Sequence, residues 1–87
     1  MKIPILNLGE FSRLEQFIKV RQEYKELCCA TDNKLEESLD LIQATLGYMQ
    51  KIASWDEIEE AFEKHNKKLE SRGWETEGYI EIQCHWR

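Results

Sequence analysis

The chain has 87 residues and a mass of 10.4 kDa, which excludes more than one ordinary hydrophobic core. Apolar residues make up 41% and charged residues 33%, too apolar for a disordered chain and rich in charge for a closely buried one. Seventeen acids against twelve bases leave a net charge of −5. That excludes general binding to a nucleic-acid backbone, which needs clustered Lys and Arg, but leaves a cation-bridged phosphate open.

There is no apolar run of the ~18 residues a membrane span needs. The opening segment, Met1-Lys2-Ile3-Pro4-Ile5-Leu6, is too short for the apolar core of a secretory leader. Three cysteines, Cys28, Cys29 and Cys84, make an odd set with one adjacent pair, so a reduced, cytoplasmic chain is expected rather than a disulfide framework. A chain of this length buries only ~60–65% of its unfolded surface. A homo-oligomer, dimer or tetramer, is therefore expected, with no nucleic-acid or membrane partner.

The expected fold is one mainly all-α domain over 1–87: an antiparallel helical hairpin plus a third helix, built into an oligomeric bundle. The only proline, Pro4, precedes the first periodic segment. Phe11, Leu14, Phe17, Ile18, Tyr24, Leu27 and Cys28 recur at spacings of three and four, which predicts a first helix over about 10–30. Thr31-Asp32-Asn33 breaks the pattern with turn and N-cap residues. A second helix follows over about 33–53, with Leu35, Leu39, Ile42, Leu46 and Met49 along one side and Leu41, Tyr48 and Ile52 on a second edge. That arc is wider than one partner helix covers, so it predicts a subunit interface. Gly47 within it costs about 1 kcal/mol against Ala unless close packing uses the missing side chain.

Ser54-Trp55-Asp56-Glu57 reads as a capping box opening a third helix over about 55–72, through Ile58, Ala61, Phe62, His65 and Leu69. Gly73 closes it at the left-handed position. The tail alternates with period two, Ile80, Ile82, Cys84 and Trp86 on one face, which predicts a strand over 79–86 paired with Lys2–Leu6 or with the same tail of another subunit.

Four acids flank the first turn. Glu23 and Glu26, and Glu37 and Asp40, are pairs three residues apart, so each pair shares a helix face. In an antiparallel hairpin, residues whose numbers add to one total stand level. Glu23 with Asp40 and Glu26 with Glu37 share the total of 63. With helix axes ~8–10 Å apart, four carboxylates converge on one small volume. Left alone they repel; a hard divalent cation such as Mg2+ resolves the repulsion. A solvated acidic face gives the same spacing, and both readings stand at this point.

Gln22-Glu23-Tyr24-Lys25-Glu26 followed by Glu36-Glu37-Ser38-Leu39-Asp40-Leu41-Ile42-Gln43 resembles the MazG-like all-α nucleoside triphosphate pyrophosphohydrolases. That family carries an E-E-x-x-E motif on one helix and E-x-x-D on the next. The resemblance covers about residues 19–74. It implies a magnesium-dependent enzyme that cleaves a nucleoside triphosphate to monophosphate and pyrophosphate. It implies that Glu23, Glu26, Glu37 and Asp40 serve as metal ligands and catalytic carboxylates. It also implies that Asn66, Lys68 and Arg72, in the segment from Lys64 to Trp74, face the phosphates. Gln22 stands where the family has its first Glu; it carries no charge and cannot act as a base. A second expectation is therefore a module of the same fold that binds a nucleotide or nucleotide signal without hydrolysis. A third is a helical assembly protein that uses the wide apolar arc.

Other residues point to packing. His65 lies on the apolar side of its helix, and one thiol of Cys28-Cys29 is expected to be buried. Cys84-His85 lacks the paired spacing of zinc sites.

Overall fold

Two serines open helices in the same way. In a computed structural model describing residues 1–86, Ser12 Oγ accepts from the Glu15 amide at 3.0 Å while the Ser12 amide donates to Glu15 Oε1 at 3.2 Å. Ser54 and Glu57 repeat this reciprocal box at 3.2 and 3.0 Å. The donated Ser54 amide holds the Glu57 carboxyl below its ordinary value. Each cap contributes about 1 kcal/mol. The resulting helices are α1 (Arg13–Cys29), α2 (Lys34–Ile52) and α3 (Trp55–Ser71). The sequence places α1 three residues too early: Gly9 adopts a positive φ of 57°, and the Ser12 box, a Ser-x-x-Glu signal, sets the true start. At the other end of α3, Gly73 takes a φ of 82° as expected. Its amide donates to Glu70 O and that of Trp74 to Leu69 O, closing a Schellman turn.

The fold is all-α, and among the described residues the one extensive helix–helix interface is the α1–α2 hairpin. The face that α1 turns to α2 is not the expected apolar stripe. Gln16 is buried at 3% exposure and Val20, Glu23 and Leu27 are half-buried, while Leu14, Phe17 and Tyr24 are more than half exposed. The Gln16 amide explains the exchange. Its Nε2 donates to the Ala44 carbonyl on α2 at 3.1 Å, and the approach passes over Gly47. A Cβ at Gly47 would lie 2.6 Å from Gln16 Nε2 and 3.5 Å from Leu8 Cδ2. The glycine is thus the contact point of the crossing, where the missing side chain lets the helices approach.

The N-terminal segment lies along α2. Gln43 Nε2 donates to Pro4 O at 2.8 Å, Gln50 Nε2 to Leu6 O at 3.3 Å and Lys51 Nζ to Gly9 O at 3.4 Å. This corrects the expected strand over 79–86: no strand forms among the described residues. One partner offered for it, Lys2–Leu6, has carbonyls engaged by α2 side chains instead. The tail folds back so that the Trp86 ring meets Trp55 edge-on, centroids 5.6 Å apart. α3 leaves the hairpin after its first turns: Ile58 is buried, but Phe62 and His65 are exposed, as are Cys28, Cys29 and Cys84. His65 and the cysteine pair therefore do not supply the packing expected of them. No helix among the described residues is long and apolar enough to cross a membrane.

The crossing makes a prediction opposite to helix propensity. Gly47→Ala gains about 1 kcal/mol of propensity but displaces Gln16 and orphans a buried amide, a loss of about 1–3 kcal/mol. We expect a net loss of about 1 kcal/mol, seen as a melting temperature lower by ~4–8 °C, and partial recovery in Gly47→Ala with Gln16→Ala. A higher melting temperature for Gly47→Ala alone would show that the helices do not meet there.

Candidate metal centre

The same crossing brings the acids inward. Glu23 lies on the α1 face turned to α2, two turns beyond Gln16, and Glu37 lies two turns before Ala44 on α2. The turn between them, residues 30–33, is short enough to keep the helices antiparallel. One carboxylate oxygen each from Glu23, Glu26 and Glu37 lie within 4.8 Å of one another. Glu26 standing level with Glu37 follows from the shared total read in the sequence. Asp40 is exposed and does not join this group, although it lies three residues beyond Glu37 on the same face.

Each of the two less exposed carboxylates is held on one side and bare on the other. Glu23, with its side chain 13% exposed, pairs through Oε1 with Lys19 Nζ at 3.4 Å. Glu37 accepts through Oε1 from Asn33 Nδ2 at 3.0 Å. Asn33 stands at the N-cap of α2, but its side chain makes no cap bond and donates to Glu37 instead. The other oxygens, Glu23 Oε2 and Glu37 Oε2, are buried without a hydrogen-bond partner. A buried, unpartnered carboxylate oxygen is costly, and a cation is the partner that two such oxygens share best. In an octahedron with ~2.1 Å bonds, neighbouring oxygens sit ~3 Å apart and opposite ones ~4.2 Å. A group of three carboxylate oxygens within 4.8 Å of one another could hold a metal ion.

Glu26 is the exposed member. Its carboxyl is held above the ordinary value, first because its neutral form can donate to the adjacent Glu23 carboxylate. The charge of Glu23, some desolvation and the charge of Glu37 act in the same direction, and Lys19 opposes them. The residues expected to meet phosphate stand elsewhere. Asn66, Lys68 and Arg72 are exposed on the second half of α3 and at its C-cap, and α3 forms no extensive interface with the acid-bearing hairpin. The signals missed in the sequence are Lys19 and Asn33, each four residues before the acid it holds, a spacing that places them on one helix face.

The raised Glu26 carboxyl fixes a sign. The native chain holds its proton longer than the unfolded chain, so this group's contribution is best below the ordinary value of 4.5 and is lost as pH rises through the raised one. In chelator, Glu26→Gln should therefore melt higher than the parent at neutral pH, with the advantage gone in acid. Equal melting temperatures across the range would mean that the carboxylates do not interact.

No family model matches this chain, and neither does any curated protein or solved structure.

Proposed function

We propose that the chain is a magnesium-dependent nucleotide pyrophosphohydrolase, with Glu23, Glu26 and Glu37 as the metal-holding and catalytic carboxylates. Asp40, three residues beyond Glu37 on the same face, would be the further carboxylate available to a bound cation. The observation that carries this reading is the pair of buried, unpartnered oxygens on Glu23 and Glu37 beside the Glu26 carboxylate. Magnesium, when bound, neutralises phosphate charge and makes a water more acidic.

The chain's own residues do the rest. Glu23 and Glu37 are fixed by Lys19 and Asn33, so their free oxygens are positioned before any ligand arrives. Glu26 is the member of the group that reaches solvent, which suits its ionised carboxylate to orient the attacking water and take its proton. Water adds to the α-phosphorus, the bond to the bridging oxygen of the β-phosphate breaks, and pyrophosphate leaves. Asn66, Lys68 and Arg72 stand away from the acids in this chain, so this reading assigns them no contact with the phosphate chain.

A second reading rests on Gln22 and on the placement of those three α3 residues away from the acids. It is a module that binds a nucleotide without cleaving it.

Two measurements separate the readings. With magnesium and a panel of nucleoside triphosphates, the parent should release pyrophosphate, and Glu37→Gln should lower kcat by about 10²-fold or more. Binding by calorimetry with no product would favour the second reading. Independently, magnesium at ~100 times its Kd should stabilise the parent by about 2.7 kcal/mol and leave a Glu23→Gln, Glu37→Gln double variant unmoved. An unmoved parent would remove the metal from both readings.

A further inference from the structure

Cys28 and Cys29 are the last two residues of α1, and neither the hairpin nor the acid cluster uses them. Free cysteine is among the most buried residue types, and its reactivity rather than its packing is what distinguishes it from other small apolar side chains. Here both thiols are free and exposed. Their half-buried neighbour, Leu27, lies on the face turned to α2. At about 100° per residue, Cys28 and Cys29 stand about 100° and 200° round from it, on the open side of the helix.

Spacing decides what two such sulfurs do together. Adjacent Cα atoms lie about 3.8 Å apart, whereas an unstrained disulfide needs about 4.4–6.8 Å. A direct S–S bond is therefore disfavoured. One atom inserted between the sulfurs relieves the strain: with bonds of about 2.3 Å and a tetrahedral angle, the sulfurs sit about 3.8 Å apart instead of about 2.05 Å. The place in the helix helps the ring to close. The next residue, Ala30, is already extended and its amide donates to Leu27 O, so any adjustment at Cys29 is confined to a terminal turn. The number of ligands then narrows the class. Among the described residues, the one group of three His, Cys, Asp or Glu ligand atoms is the acid cluster, which contains no thiol. Zinc wants four ligands and hard cations want oxygen, so the pair serves neither. It serves a soft centre that two sulfurs complete.

We propose that Cys28-Cys29 is a dithiol site for a soft, thiol-seeking centre, of which a monosubstituted trivalent arsenical is the representative ligand. Two As–S bonds form, the two thiol protons leave with the arsenical's oxygen as water, and no atom changes oxidation state. The organic group occupies the third position of the arsenic.

The test is titration of the full chain, reduced with a phosphine, with phenylarsine oxide, followed by intact-mass spectrometry and a count of free thiols. The parent should take up one phenylarsenic unit, and its free thiols should fall from three to one. Excess monothiol should leave the adduct in place, and a dithiol should strip it. Cys28→Ser and Cys29→Ser should each weaken retention by about 10²-fold or more, because one arm of a two-point attachment is lost. Cys84→Ser should bind as the parent does. Helicity by circular dichroism should not change on binding. The proposal is overturned if monothiol removes the adduct from the parent, if either Cys28→Ser or Cys29→Ser retains it as tightly, if Cys84→Ser abolishes uptake, or if uptake occurs only with loss of helix.

Discussion

One hydrogen bond organises the molecule. Gln16 reaches from α1 to a carbonyl of α2 over a glycine, and the two helices meet there because no side chain intervenes. A buried amide bonded to a main-chain oxygen is directional where apolar contact is not. It fixes which face of α1 looks inward. Glu23 shares that face, so the crossing that buries Gln16 also carries a carboxylate into the hairpin, opposite Glu37.

Much of this arrangement can be read in the sequence, for physical reasons. The mirror relation about the turn at Thr31-Asp32 depends only on chain geometry, and it places Glu26 beside Glu37 correctly. Ser54 with Glu57, and Gly73, are local signals whose hydrogen bonds close within a few residues, so tertiary context does not alter them. Gly47 carries its own hint: a glycine in mid-helix needs a close neighbour to justify it. The identity of that neighbour is not readable. Gln16 is a polar residue in a helix whose apolar side chains form a convincing stripe, and periodicity assigns the stripe to the interior. In the structure the stripe is left outside, because direction came from a single long-range bond that no periodicity records.

The same cause explains two other differences. Asn33 is a good helix cap by type, yet its amide holds Glu37, because a charged acceptor one turn away competes with the backbone. The tail alternates as a strand does, but a strand needs a ladder. The Pro4 and Leu6 carbonyls that might have supplied one accept from Gln43 and Gln50. In each case local propensity was outweighed by a partner distant in sequence or by a charge.

The outward stripe and the inward acids are two results of one crossing: the α1 face that carries Glu23 inward leaves Leu14, Phe17 and Tyr24 more than half exposed. The central claim is that Glu23 and Glu26 on α1 and Glu37 on α2 form one cation site. Titration of isotope-labelled protein with Mn2+ tests it most directly. The account predicts that amide signals around Glu23, Glu26 and Glu37 broaden together and saturate as a single event, and that excess magnesium restores them. Broadening that begins instead along the acid-rich first turns of α3, around Asp56 to Glu60, with the α1 and α2 signals unaffected, would contradict it.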